Sequence, residues 1–251
     1  NKFLKSILYR GPDENGKLIV ENEINLCHSR LSIIDLEAGQ QPMKILNYQI
    51  IFNGEIYNYV ELREELENKG YKFKTQSDTE VILKSYIHYG DSFVSKLNGM
   101  FAIVIYDLNL KKLIICNDPF GIKPVYYSII DNELYFSSSA KTITLHPKFK
   151  KELNLKALSE TIQFRYSVSG EVFFKGINKL KNGEILIWNN KSKINKIYNY
   201  DLENKIYDKK LSTDEWLNEC YNIFNDSIKI NLRADVPIGI FLSSGIDSAG
   251  I

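Results

Sequence analysis

The chain has 251 residues, 44% of them hydrophobic and 25% charged, and 32 Lys and Arg against 31 Asp and Glu leave a formal charge of +1. That length and apolar fraction suffice for one large or two ordinary domains with real cores, and a near-neutral chain without a dense basic block has no general reason to bind nucleic acid or an anionic membrane. No apolar run approaches the roughly 18 to 20 residues that cross a bilayer and no basic-then-apolar leader opens the chain, so the cytoplasm is the expected compartment.

In chain order, residues 49–52 read as a strand and Asn53-Gly54-Glu55 as the turn that follows it. A helix is predicted from about Asn58: Asn58 and Glu61 form a capping-box pair, Tyr59, Leu62 and Leu66 recur at helical spacing, and Gly70 supplies the stop. A second helix opens at Ser77-Asp78-Thr79-Glu80, turns Val81, Ile82, Leu83, Tyr86 and Ile87 inward and ends near Gly90. From residue 101 to about 138, short β-branched and aromatic runs alternate with Asp- and Asn-containing turns, the pattern of an antiparallel meander. The run 101–106 is apolar on both faces, as expected for a sheet covered on both sides, and an α+β fold with α/β/β/α layering fits.

The stretch 181–210 is rich in Asn and Lys, with a strand near residues 184–188, and marks the approach to a second domain. A helix opened by the capping box Ser212-x-x-Glu215 follows, its face of Trp216, Cys220, Ile223, Phe224 and Ser227 expected in a core. An apolar strand over 236–242 then runs into Ser243-Ser244-Gly245-Ile246-Asp247-Ser248. Strand, small-residue loop and helix start, in that order, make the nucleotide-binding end of a parallel α/β domain.

Three cysteines, Cys27, Cys116 and Cys220, form no CxxC pair and are too scattered for a disulfide framework, so each is expected as a small buried hydrophobe. The 243–248 loop can wrap a phosphate with its backbone N–H groups, or be an ordinary turn capped by Ser. Its spacing differs from GxxxxGK[ST], which disfavours a Walker-type NTPase. Asn53-Gly54 sets a side-chain amide beside a backbone N–H, two donors suited to an oxyanion, though Asn-Gly is also the commonest tight-turn dipeptide. Arg30 and Asp78 are isolated charges that together would bind the two ends of a zwitterionic amino acid, with helix capping as the plain alternative for Asp78. His28 has no nucleophile context and reads as structural. No metal site is identified.

Taken in order, Arg10-Gly11-Pro12-Asp13, the run from His28-Ser29-Arg30 through Asp35 with Gln41-Pro42-Met43, the run Phe52-Asn53-Gly54-Glu55-Ile56-Tyr57-Asn58, Ser77-Asp78-Thr79-Glu80-Val81, Gly99-Met100-Phe101-Ala102, the run Asp118-Pro119-Phe120-Gly121-Ile122-Lys123-Pro124, and Leu242 through Ser248 resemble the glutamine-hydrolysing asparagine synthetases. The resemblance runs through nearly the whole chain. It implies a four-layer α/β/β/α N-terminal-nucleophile hydrolase domain of the class II glutamine amidotransferases over residues 1–200, which frees ammonia from glutamine. Residues 211–251 would begin an α/β ATP-pyrophosphatase domain that adenylates aspartate. Carried over motif by motif, Arg30 would hold the glutamine α-carboxylate, with Ile33 and Ile34 lining the site through their backbone. Asn53 and Gly54 would form the oxyanion hole, and Glu55 and Asp78 would face the α-ammonium. Ser243, Ser244, Gly245, Asp247 and Ser248 would bind the ATP pyrophosphate, with Leu242 beside the nucleotide. ATP and Mg2+ are the implied cofactors and glutamine, aspartate and ATP the small-molecule substrates. No nucleic-acid or membrane partner is implied, and a homodimer stays open.

The family's nucleophile is a cysteine at the mature N-terminus, whose own α-amine serves as base. Asn1 stands first and none of the three cysteines is terminal, so both ends read as cut, an upstream segment carrying that cysteine is expected, and the chain as written is expected to lack glutaminase turnover. Ser244 stands where the family usually has Gly, adding a Cβ where backbone approaches phosphate; Asn117 and Ser139 replace a usual Arg and Glu. Two other functions fit the same motifs: a synthetase forming an amide or lactam on another carboxylate, and a glutaminase-like binding module without turnover.

Overall fold

The fold is built around β5 (Gly99–Asp107), whose two faces are both buried. The computed structural model describes residues 2–21, 23–189, 192–197 and 211–251. In it β5 lies inside a six-stranded antiparallel sheet with β3 (Met43–Ile45), β4 (Tyr48–Ile56), β6 (Lys112–Asn117), β10 (Glu184–Asn189) and β11 (Ser192–Ile197), in the order β11-β10-β6-β5-β4-β3. Side chains alternate across a strand, so Ile103 and Ile105 face one way and Ala102, Val104 and Tyr106 the other. The first pair packs with Leu62 and Leu66 of α2 (Tyr59–Asn68) and Val81 and Ile82 of α3 (Asp78–Tyr89). The second set packs with Val20 and Leu26, from the hairpin of β1 (Glu14–Val20) and β2 (Ile24–Arg30), and with Val125 and Tyr127.

Tyr127 belongs to a second sheet of three strands, ordered β8-β7-β9, made by β7 (Tyr126–Ile130), β8 (Glu133–Ser137) and β9 (Asn178–Lys179). Its outer face carries α4 (Ala140–Ile143), where Ile143 packs with Val172 and Ile177. Helix, sheet, sheet and helix are thus stacked in the expected α/β/β/α order. No helix among the described residues is long and apolar enough to cross a membrane.

Local signals set the helix ends well. Ser77 Oγ accepts the Thr79 N–H at 3.1 Å to open α3, and Gly90, at φ 59°, closes it. α6 (Thr213–Asn231) starts with both halves of the Ser212/Glu215 capping box in place. Asn58, in contrast, makes no side-chain cap on α2. Its Oδ1 accepts the Asn98 N–H and its Nδ2 donates to the Lys96 carbonyl, so its hydrogen bonds go to a tertiary neighbour.

Four further expectations are corrected. Residues 53–55 form no turn: β4 continues through them to Ile56, with Asn53 opposite Ala102 and Gly54 opposite Phe101. The 101–138 segment is not one meander, because β5 and β6 belong to the large sheet and β7 and β8 to the other. The switch is made by Asp118, whose fully buried carboxylate accepts the N–H groups of Phe101, Phe120, Ile122 and Lys123 and wraps the loop around itself. Cys220 and its helical face are exposed rather than core, with Ile223 60%, Phe224 46% and Trp216 37% exposed; Cys116 is buried and Cys27 half-buried. Residues 236–242 form no strand, for no described segment offers them a ladder partner. Of the polar 181–210 stretch, residues 190, 191 and 198–210 lie outside the described residues.

Candidate active site

Three elements converge on one end of a cavity of about 1290 Å3 that opens between the sheets. β2 delivers Arg30 in its last position, β4 delivers Asn53, Gly54 and Glu55, and α3 delivers Asp78 in its first turn. Gln41 locks the last two together: its Oε1 accepts the Phe52 N–H at 2.6 Å and its Nε2 donates to Thr79 Oγ1 at 3.3 Å. Asp78 Oδ2 in turn accepts the Ile56 N–H at 3.2 Å. Arg30, Ile33, Ile34, Asn53, Gly54, Glu55 and Asp78, the whole group expected around an amino acid, line the same cavity.

Arg30 is only 6% exposed and is fixed from behind. Nη2 donates to the carbonyls of Ile34 and Asp35 at 2.9 and 2.7 Å, and Nη1 pairs with Glu14 at 3.2 Å. A side chain at Gly39 would put its Cβ 2.2 Å from Nη2, so the close passage of that backbone requires glycine. With both Nη2 hydrogens and one Nη1 hydrogen engaged, the guanidinium keeps Nε–H and one Nη1–H, which do not form a parallel pair, so it offers a carboxylate a fixed charge and single hydrogen bonds rather than a two-pronged fork.

On β4, Gly54 adopts φ +147°, and a Cβ there would lie 2.0 Å from the Met100 carbonyl oxygen. That dihedral turns the backbone where β4 meets β5, and glycine is the residue that tolerates it. The Asn53 amide, one residue earlier, lines the cavity and makes no side-chain hydrogen bond among the described residues.

Two carboxyl groups share this end. Burial pushes Glu55 up to about 7; the nearby Asp78 charge adds to the shift and Lys123 opposes it. Burial also pushes Asp78 up to about 6, against hydrogen bonds from Ile56, Thr79 and Ser77 and the charge of Arg30. Carboxyls this reluctant to ionise gain most from a cation placed between them. A ligand ammonium should therefore bind weakly once they are protonated. Because they interact, they titrate as a pair. kcat/KM for an α-amino substrate should fall as pH drops through about 7 to 6, and Glu55→Gln should remove the upper part of that limb; a profile flat from pH 8 to 5.5 would contradict this. His28 does not contribute to the limb, because burial holds it down at about 4. Its Nε2 meets the Phe52 carbonyl at 3.0 Å and its Nδ1 has no partner among the described residues, so the expected structural histidine is only half satisfied.

Burial raises the thiols of Cys116 and Cys27, most strongly for Cys116, so neither is poised as a thiolate. Lys123 was not anticipated as a site residue. It lines the cavity, with its own N–H held by Asp118 at 3.0 Å, and only its place in the Asp118–Pro124 motif hinted at it.

Leu242, Ser243, Ser244, Gly245, Asp247 and Ser248 lie outside this cavity, at the end of the chain. Ser243 Oγ and Ser248 Oγ are 2.8 Å apart, Ser243 Oγ accepts the Gly245 N–H at 3.2 Å, and a five-residue helix, α7 (Ile246–Gly250), follows. Ser244 is not among the residues with positive φ.

Comparison with known proteins gives two family matches, a glutamine amidotransferase domain over residues 1–200 and asparagine synthase over residues 219–251. Asparagine synthetase [glutamine-hydrolyzing] 1 of Bacillus subtilis is 40% identical over 98% of this chain and 38% of its own length. Amidase chry2 of Gibberella zeae is 34% identical over 99% of this chain and 37% of its own. The chain thus spans under two fifths of these curated relatives. A solved glutamine phosphoribosylpyrophosphate amidotransferase from B. subtilis, complexed with ADP and GMP, matches with a TM-score of 0.59 at 19% identity, covering 80% of this chain and 46% of that one, a likeness of fold.

Proposed function

We propose, from the premise that this chain belongs to the glutamine amidotransferase domain family, that residues 1–200 are the glutaminase domain of a glutamine-hydrolysing asparagine synthetase and residues 211–251 the beginning of its ATP-dependent domain. The observation that carries this is the convergence of Arg30, the Asn53–Gly54 pair and the carboxyls of Glu55 and Asp78 on one cavity. Glutamine would lie with its α-carboxylate on Arg30, its α-ammonium between Glu55 and Asp78, and its side-chain carbonyl toward the Asn53 amide and the Gly54 N–H. Those two donors stabilise the oxyanion that forms as a thiolate attacks the amide carbon and ammonia departs. The resemblance implies that a cysteine supplies this thiolate.

The 243–248 loop fits a nucleotide's phosphates in composition, with hydroxyls and small side chains around exposed backbone. A bound ATP would supply the activated phosphoanhydride that adenylates a carboxylate. Mg2+ prefers few protein ligands and substrate phosphates. Mg2+, if it accompanies the nucleotide, would be held mainly by the phosphates, with Asp247 as the carboxylate of this loop. Since Ser244 avoids positive φ, its Cβ brings no backbone strain there, and Ser244→Gly should leave ATP affinity within about two-fold. A several-fold tighter KM for ATP would show that the loop needs glycine.

The direct test is to incubate the full-length protein with glutamine, ATP and aspartate and to measure glutamate, ammonia and asparagine. Asparagine formed from glutamine, with free ammonia able to replace it, supports the proposal; glutamine left intact would overturn it. A second reading keeps the same glutaminase site with another acceptor carboxylate, since a similar chain, amidase chry2, carries a name other than asparagine synthetase. Glutamate released without asparagine when aspartate is supplied would select that one.

A further inference from the structure

Residues just past α6 cross onto the amino-acid end of the cavity. Arg233 places its two terminal guanidinium nitrogens on the Glu61 carboxylate of α2 at 2.7 and 2.6 Å, and Nη1 also donates to the Tyr57 carbonyl at 2.5 Å, two residues beyond Glu55. Asp235 grips the other loop. Its backbone N–H donates to the Ile33 carbonyl at 2.9 Å and its carboxylate accepts the Asp35 N–H at 2.7 Å.

Asp35 connects both ends of the amino-acid clamp. Its carbonyl accepts from Arg30 Nη2 at 2.7 Å, and its carboxylate accepts the N–H groups of Ala38 at 2.9 Å and Gln76 at 2.6 Å, the latter two residues before Asp78. It does this at φ +51°, a conformation most L residues enter reluctantly and one that needs its surroundings to hold it.

We infer that Asp235 is a positioning residue for the amino-acid substrate, acting through Asp35. Its carboxylate fixes the 33–35 turn, the turn fixes the Arg30 guanidinium, and Asp35 carries the same constraint to the start of α3. The site thus needs a residue from the asparagine-synthase segment, although every group that touches substrate lies in the first domain. This rests on the glutamine reading of the cavity.

The test uses the full-length protein and compares Asp235→Ala and Asp235→Asn with wild type. Losing one charge-assisted, partly solvated hydrogen bond that orients a binding group should raise glutamine KM about 3- to 10-fold in Asp235→Ala, with kcat within about two-fold. Asp235→Asn keeps an acceptor and should bring KM back to within about two-fold of wild type. Ammonia-dependent product formation, which bypasses the cavity, reports whether the protein still folds. An unchanged glutamine KM in Asp235→Ala, or equal loss of glutamine- and ammonia-dependent activity in both variants, would overturn the inference. Failure of the glutamine reading would look different, since Arg30→Ala would then also leave glutamine KM unchanged.

Discussion

Asn53→Ala in the full-length protein should lower glutamine turnover by about 10²- to 10³-fold while leaving glutamine KM near wild type. The amide makes no hydrogen bond within the described protein, so its removal orphans no neighbour, and the backbone pairing with Ala102 does not depend on it. Its proposed work begins only when charge gathers on the substrate oxygen in the tetrahedral intermediate, which is why the effect falls on kcat. Ammonia-dependent synthesis should persist. Assaying both activities on one preparation separates a catalytic defect from unfolding, and a parallel fall in the two would count against the oxyanion role.

Gly54→Ala should be more damaging and for a different reason. The new Cβ would meet the Met100 carbonyl oxygen at 2.0 Å, a backbone atom in the β4–β5 ladder that can move only if the two strands shift. Together with φ +147°, the clash should cost about 3 kcal/mol or more of stability and abolish glutamine hydrolysis, because any relief moves the Gly54 N–H. Denaturant unfolding read beside the glutaminase assay checks both parts. A variant as stable as wild type would mean that the β4–β5 pairing at this point is looser than its geometry implies.

How much of this was legible in the sequence depends on how local the cause was. The starts of α3 and α6 and the stops at Gly70 and Gly90 follow from side chains within four residues of the feature, and they were found. Asn53-Gly54 was misplaced because the dipeptide's usual preference is a turn. Only the close passage of residues 100 and 101, distant in sequence, shows that the glycine serves a tight strand pairing. The division of the 101–138 strands between two sheets depends on where the Asp118 carboxylate collects its four N–H groups, which periodicity does not encode.

The site divides in the same way. Arg30, Asn53, Gly54, Glu55 and Asp78 were legible as motifs, and the fold brings them into one cavity. Lys123, Asp35 and Asp235 were not assigned roles, since a charged residue in a polar loop looks the same whether it faces solvent or supports a binding group. Cys220 shows the converse. Its helical stripe has the periodicity of a buried face, yet that face is exposed among the described residues.

The central claim is that Arg30 holds the α-carboxylate of glutamine, and one thermodynamic cycle addresses it. kcat/KM would be measured for glutamine and for 4-aminobutanamide, which lacks only the carboxylate, on the full-length wild type and on Arg30→Ala. Arg30 also supports the 34–35 backbone, so its loss will slow both substrates; the ratio between them isolates the contact. If Arg30 makes that contact, wild type should prefer glutamine by about 30- to 100-fold, equivalent to about 2 to 3 kcal/mol, and Arg30→Ala by no more than about 3-fold. An equal preference in both proteins would show that the carboxylate is held elsewhere and that Arg30 only supports its loop.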